Sequence, residues 1–301
     1  MSDLPYLHVK TPLFYSKRLE LSTGKFVHLK LEALQPSASF KLRGIGRLCQ
    51  CYAADGFTQL VASSGGNAGI SVAYCGMMLG MPTTVFIPST SHQLFIDELK
   101  TYGAEIVVAG KVWDDAHAAA LAYIKQHHAA YIPPFDHPMI WAGHATLIDE
   151  IVEAGLKPDV VIAAVGGGGL ACGLLEGMQQ HRWNDVPLIA VETQGADSFA
   201  QSIQANHVVT LSAITSRATS LGAKRISSHL FEWTQEHPIH SVVVSDDEAE
   251  AGARSFAKDK RIMVELSAGA ALSVVYANHP VIAPYQTILV VVCGGVNTSF
   301  F

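Results

Sequence analysis

Cysteine is scarce and unpaired. The 301 residues include five, Cys49, Cys51, Cys75, Cys172 and Cys293, and no two of them form a C-x-x-C spacing. An odd count inside mostly apolar segments excludes a disulfide framework and reads as the usage of a reducing compartment, the cytoplasm. Charge is also sparse, at 15 % of residues, and its balance is acidic, with a formal −6 from 20 Lys+Arg against 26 Asp+Glu. With no basic stripe to follow phosphates, a nucleic-acid surface is excluded. No apolar run reaches the length of a membrane span. Met1-Ser-Asp-Leu-Pro5 lacks both the basic and the apolar region of a signal peptide. The 14 His are scattered without an H-x-x-x-H or H-E-x-x-H pair, so a zinc site is excluded.

What is present is an alternation of strand-like and helix-like segments, the pattern of an α/β fold built on parallel sheet. Strands are expected at Phe26–Leu31, Leu60–Ala62, Thr83–Ile87, Glu105–Ala109, Val160–Val165, Leu188–Glu192 and Thr287–Val292. Helices are expected from near Lys41, behind Gly69, over Ser91–Tyr102, Trp113–His128, His137–Ala154 and Leu170–Gln180, and after the capping box Ser245-Asp-Asp-Glu248. The paired prolines of Tyr131-Ile-Pro-Pro-Phe135 forbid helix and central strand and mark a boundary. Two domains are expected, a small one over 34–131 and a large one from 1–33 plus 132–301.

Three loops, Ser63–Gly69, Gly166–Gly169 and Cys293–Gly295, sit at the carboxyl ends of apolar strands. In open parallel sheets that edge binds ligands. Gly166-Gly-Gly-Gly169 before a helix suits an anion, because residues without Cβ let backbone N–H groups converge at a positive helix end. The same loop fits a relaxed dinucleotide fingerprint, Gly166-x-Gly168-x-x-Ala171 with Glu192 closing the next strand, which would suit an NAD-dependent oxidoreductase. In Pro36-Ser-Ala-Ser-Phe-Lys-Leu-Arg-Gly-Ile-Gly46, Lys41 falls in the first turn of a helix. That end of a helix disfavours a cation and favours the neutral amine that Schiff-base chemistry needs.

Taken together these stretches resemble the pyridoxal-phosphate enzymes of the serine/threonine dehydratase type, fold type II, closest to the L-serine dehydratase/L-threonine deaminase group. The likeness runs in order through His8-Val-Lys-Thr-Pro12, Ser37-Ala-Ser-Phe-Lys-Leu-Arg-Gly44, Ser63-Ser-Gly-Gly-Asn-Ala-Gly69 and Tyr131-Ile-Pro-Pro-Phe-Asp136. It continues through Val165-Gly-Gly-Gly-Gly-Leu170, Glu192-Thr-Gln-Gly-Ala-Asp-Ser-Phe199, Leu221-Gly222 and Val292-Cys-Gly-Gly295, nearly the whole chain. It implies a two-domain α/β fold (tryptophan synthase β-like) with parallel twisted sheets flanked by helices, a homodimer, and pyridoxal 5′-phosphate as cofactor. It also implies β-elimination from L-serine, and L-threonine as a second substrate, giving pyruvate or 2-oxobutanoate plus ammonia.

By the same resemblance Lys41 would be joined to the cofactor aldehyde, with Phe40 against one face of its ring. Gly166, Gly167, Gly168, Gly169 and Leu170 would hold the phosphate, Asn67 the phenolic oxygen, and Cys293 would face the pyridine nitrogen. Ser64, Gly65, Asn67 and Ala68 would hold the substrate carboxylate. K+ or another monovalent cation would sit on Glu192, Ala196, Ser198, Leu221 and Ala223. Gly65 stands where related racemases carry a hydroxyl base, so racemisation is not expected. Ser267, in Glu265-Leu-Ser-Ala-Gly269, and Ser220 depart from the residues usual in relatives. A β-replacement enzyme of the cysteine synthase type shares the fold, but Cys293 weighs against it, since those relatives commonly carry Ser or Thr there. The chain ends at Phe301 without a long extension, so control by a distal amino-acid-binding domain is not expected.

Overall fold

The computed structural model describes residues 5–298 and 300. The chain opens with β1 (Leu13–Tyr15), α1 (Lys17–Thr23) and β2 (Phe26–Lys30). It continues through α2 (Lys41–Ala54), β3 (Gln59–Ala62), α3 (Asn67–Leu79), β4 (Thr83–Ile87), α4 (Gln93–Thr101), β5 (Glu105–Val108), α5 (Trp113–Ile124), β6 (Ala129–Tyr131) and α6 (Pro138–Glu153). The remainder alternates β7 (Val160–Ala164), α7 (Gly169–Gln180), β8 (Leu188–Thr193), α8 (Ser198–Ala205), α9 (Ser228–Trp233) and β9 (Ile239–Val244). It closes with α10 (Asp246–Lys260), α11 (Leu266–Tyr276) and β10 (Thr287–Val291). Among the described residues no helix is long and apolar enough to cross a membrane.

Two compact units result. One takes the chain as far as Val9 together with Gln35–Gly143; the other takes Lys10–Leu34 and the chain from His144 onward. The first unit contains a four-stranded sheet in the order β5-β4-β3-β6, parallel throughout. Every residue of β4 is buried, as in a parallel sheet covered on both faces. Ala116 and Ala120 of α5 pack on Val61, Phe86 and Ala129 of this sheet. Alanines at that spacing keep one helix face flat enough to lie close to the strands.

The second unit contains a six-stranded sheet, β1-β2-β10-β7-β8-β9, in which β1 runs antiparallel to β2 and the remaining neighbours pair in parallel. Strands β7 and β8 are buried along their whole length. Ten consecutive residues of α11, from Leu266 to Val275, are buried as well. A helix apolar on all sides belongs inside a core.

The α/β class with parallel sheets stands as expected from the sequence. Boundaries moved where a side chain intervenes. The helix expected over Trp113–His128 stops at Ile124, because His127 turns back on it: Nδ1 lies 2.8 Å from the Tyr123 carbonyl and the ring stacks on Tyr123 at 3.8 Å. The expected helix start at Ser91 moves to Gln93, since His92 supplies the cap that accepts the Leu94 amide. The capping box of Ser245 and Glu248 forms as read, each side chain meeting the other's backbone N–H.

Candidate functional site

In the first unit Lys41 is the first residue of α2, half-buried, and its Nζ donates to the Pro134 carbonyl at 2.8 Å. The Phe40 ring lies beside it, 5.2 Å from Nζ to the centroid. The loop that delivers Lys41 is held tightly. Ser37 and Ser39 are buried, and Ala38 between them takes φ +54, a conformation that costs a side-chain-bearing residue roughly 1–2 kcal/mol. Such an outlier persists only where its surroundings over-determine it. Here the Ser37 hydroxyl meets Ser71 Oγ at 3.0 Å, and Ser71 donates to the Asn67 carbonyl at 2.8 Å. The Lys41 loop and the first turn of α3 are therefore one connected piece.

Helix α3 begins at buried Asn67, with Gly66 at its cap, a residue that has no side chain to cap it. Ser64, Gly65 and Gly66 are partly exposed and Ala68 is buried. First-turn amides without an internal partner, at a positive helix end, can hold a carboxylate.

In the second unit α7 begins at Gly169 from a cap at Gly168, again without a side-chain cap. Gly168 has φ +96, and a Cβ there would fall 2.7 Å from Leu230. A Cβ on Gly166 would fall 3.0 Å from Leu221 Cα, so backbone lies directly against the turn. The Ser227 amide ties down the Gly167 carbonyl at 2.9 Å, and Leu170 is buried in the first helical turn. This is a cradle from which side chains are excluded, with amides at its rim, and it fits a phosphate.

Cys293 follows β10 and is 3 % exposed. Its Sγ lies 3.5 Å from Ser267 Oγ, and the Ser267 hydroxyl donates to Glu265 Oε1 at 2.6 Å. The hydroxyl proton is thus committed to a carboxylate, which leaves Oγ to accept from the thiol. Ser267, unusual in the sequence, is explained by this neighbour; Ser220 is exposed in the short turn Thr219–Leu221.

Glu192 ends fully buried in β8, and its two oxygens accept the Phe199 and Ala200 amides at 2.8 Å each, capping α8. Burial pushes its carboxyl up to about 8, against the pull of those two amides, and the nearby Asp197 adds to the rise. Both oxygens face a helix end, so Glu192 is not placed to bind a ribose, and the dinucleotide reading of the glycine loop loses its acidic partner. Around Glu192 the Ser198 hydroxyl donates to the Ala223 carbonyl at 3.1 Å, and the Ala223 amide donates to the Leu221 carbonyl. Ala196 is buried and bridges back to Thr193. A carboxylate, a hydroxyl and carbonyls form an all-oxygen set, the donors a hard cation prefers.

Sequence reasoning did not find the Pro134 carbonyl as the partner of Lys41, although the double proline was noted as a boundary. A backbone acceptor 93 residues away leaves no local signal.

Comparison with known proteins agrees with this chemistry. The family model for pyridoxal-phosphate-dependent enzymes matches residues 4–294. The chain is 44 % identical to a human protein named L-serine dehydratase/L-threonine deaminase, covering 99 % of this chain and 94 % of that one. It is 44 % identical to the human protein named serine dehydratase-like, with 97 % and 92 % covered. Among solved structures it resembles an L-serine ammonia-lyase from Rhizomucor miehei, with TM-score 0.91 and 36 % identity over 98 % of this chain and 96 % of the other.

Proposed function

The chain belongs to the pyridoxal-phosphate-dependent enzyme family, and from that premise we propose that it is a lyase deaminating L-serine, with L-threonine as a second substrate, to pyruvate or 2-oxobutanoate plus ammonia. One observation carries the reading: the single Lys of the S-x-S-F-K motif stands at the first position of α2 with its amine held at 2.8 Å on a carbonyl. When bound, the cofactor supplies an electron sink for the charge that develops at the substrate α-carbon.

The side chains of this protein do the rest. Lys41 would hold the cofactor through its aldehyde, and its Nζ is the group placed to take the α-proton. Phe40 supports the ring face next to it. Asn67, Ser64, Gly65 and Ala68, at the start of α3, hold the amino-acid carboxylate, and Asn67 also meets the phenolic oxygen. The Gly166–Gly169 turn and the Leu170 amide hold the phosphate. Cys293 faces the ring nitrogen, and a thiol is a weak partner there. A sink weakened in this way suits elimination, in which the β-hydroxyl departs as water with the loss of the α-proton, and hydrolysis of the released enamine takes up water to give the 2-oxo acid and ammonia. Gly65 offers no base on the opposite face, so the product path is elimination and not racemisation. The reading extends to a homodimer in the cytoplasm, supported by the family likeness and by the unpaired cysteines.

The test is a panel of amino acids assayed for 2-oxo acid and ammonia. L-serine and L-threonine are expected to give both in equal amounts, while L-alanine, which has no β-hydroxyl, gives neither. Turnover of O-acetylserine with sulfide and none of serine would support a β-replacement enzyme instead.

We also propose that K+ or another monovalent cation binds at Glu192, with Ser198 and the carbonyls of Ala196, Leu221 and Ala223. A carboxyl raised on folding contributes stability in full below the ordinary carboxylate range. That contribution is lost as pH climbs from there through about 8. A cation beside the ionised form offsets the loss. The melting temperature is therefore expected to fall between about pH 6 and about pH 9 in tetramethylammonium buffer, and to fall less in potassium. Identical curves in the two buffers would remove the cation from this site.

A further inference from the structure

Below the Ser64–Gly69 turn lies a group of three side chains to which no role has been given. Ser63 directly follows β3 and Tyr131 closes the neighbouring β6, where Val61 and Tyr131 stand opposite one another. The Ser63 and Tyr131 hydroxyl oxygens are 2.7 Å apart. His117 of α5 places Nδ1 2.8 Å from the Tyr131 oxygen and 3.3 Å from Ser63 Oγ. The imidazole is fixed from its other side by Trp113, stacked at 4.6 Å and 11°. The buried neighbours Ala116 and Ala120 pin the same helix to the sheet. Ser63 is 2 % exposed, and burial pushes the Tyr131 phenol up, so it keeps its proton.

Hydrogen counting makes this triangle directional. Two hydroxyls bring one hydrogen each. With Nδ1 bare, Tyr131 donates to His117 and Ser63 donates to Tyr131. With a hydrogen on Nδ1, His117 donates to Tyr131, Tyr131 donates to Ser63, and the Ser63 hydrogen is turned out of the triangle. Ser63 adjoins the turn assigned above to the substrate carboxylate. Tyr131 opens the segment whose Pro134 carbonyl accepts from Lys41. We propose that His117 is a positioning residue which, through Tyr131, sets the direction of the Ser63 hydroxyl and so tunes how tightly the Ser64–Gly69 turn holds the amino-acid carboxylate. The inference rests on the function proposed above and names what regulates its carboxylate site.

Few other charges compete for control of His117. The strands that α5 packs on, β3, β4 and β6, have the sequences QLVA, TTVFI and AAY and bring no charged side chain. On α5 itself Asp114 lies one turn before His117, and Asp115 is engaged on the Lys111 and Val112 amides. An imidazole nitrogen can either accept or donate, so the hydrogen on His117 Nδ1 sets which way the triangle points.

The experiment uses the cofactor-loaded protein, L-serine as substrate and L-alanine as a bound but unreactive probe. Tyr131→Phe breaks the relay and leaves the ring in place. His117→Phe keeps the stack on Trp113 and removes Nδ1. Both variants are expected to raise KM for serine, and the dissociation constant for alanine, about three- to tenfold, the effect of one net hydrogen bond. Their kcat is expected to stay within about twofold. An imidazole 15N correlation spectrum gives a readout independent of turnover, with the signal lost in His117→Phe assigning that ring. In the unmodified protein alanine should shift the His117 15N signals, and in Tyr131→Phe it should not. If both variants keep the alanine affinity and Tyr131→Phe keeps the alanine-dependent shift, the proposal is overturned. If the unmodified protein itself shows no response to alanine or serine, the proposed function fails, and this inference fails with it.

Discussion

Lys41→Ala is expected to abolish the visible absorbance of the bound cofactor and to lower turnover of serine by at least roughly 10²–10⁴-fold, the loss associated with one positioned proton-transfer group. The argument is structural as well as chemical. Lys41 occupies the first position of α2, so its backbone is fixed by the helix while its side chain reaches the Pro134 carbonyl. Alanine is a strong helix former, and the Leu42 and Arg43 amides would still find the Ser39 and Phe40 carbonyls. The fold should therefore survive with an unchanged melting temperature. That separates loss of an amine from loss of structure. Borohydride treatment of the unmodified protein followed by peptide mapping is expected to place the reduced cofactor on the peptide containing Lys41. A label on another lysine, or full turnover by Lys41→Ala, would falsify the assignment.

The second large effect is expected at Gly168. Replacing it with Ala forces a Cβ into φ +96 and within 2.7 Å of Leu230 Cδ2 and 3.1 Å of its Cβ. The backbone conformation costs about 1–2 kcal/mol and the overlap about 1–3 kcal/mol. A total of about 2–5 kcal/mol is a large fraction of a domain's stability. Relief by shifting the turn would misalign the amides of α7's first turn, so the variant is expected to need a large excess of added pyridoxal phosphate for activity. Gly155→Ala is the control. It has φ +73 in the same unit with nothing within 4 Å of the new Cβ, and so carries only the backbone cost. Urea midpoints for the two variants should differ by the overlap energy. Equal midpoints and normal cofactor retention in Gly168→Ala would show that the turn is not built as described.

The parts of the fold that could be read from sequence share one property: their signal is local. Strand β7 is an unbroken apolar run, and β4 and β8 are mostly apolar and β-branched, because all three are buried along their length. The start of α2 follows from a turn and then helical spacing. By contrast α11 was not anticipated, because Leu266–Tyr276 is apolar on every side and shows no amphipathic period. Strand β6 was taken into the boundary before the prolines, since three residues, Ala-Ala-Tyr, carry little pattern. The same division runs through the functional residues. Lys41 and the glycine turn are contiguous motifs, whereas the Ser267 hydroxyl near Cys293 and His117 near Tyr131 join residues 26 and 14 apart. Ser267 could be noticed as unusual in sequence, but only the closeness of a thiol explains it. Glu192 was noted for two opposed roles, and its geometry added a third, as the carboxylate that closes the start of α8.

The direction of β1 has a consequence for the protein at high concentration. The parallel part of its sheet would otherwise present β2 as an open border, with free ladder groups able to recruit a second chain. Instead a three-residue strand pairs with β2 in the opposite sense, through Leu13, Phe14 and Tyr15. So short a segment offers too little ladder to seed fibrous growth, and it leads at once into α1, whose Ser16 cap turns the chain away. On that side the sheet is terminated by design of its sequence, and runaway strand addition there is blocked without any contribution from charge.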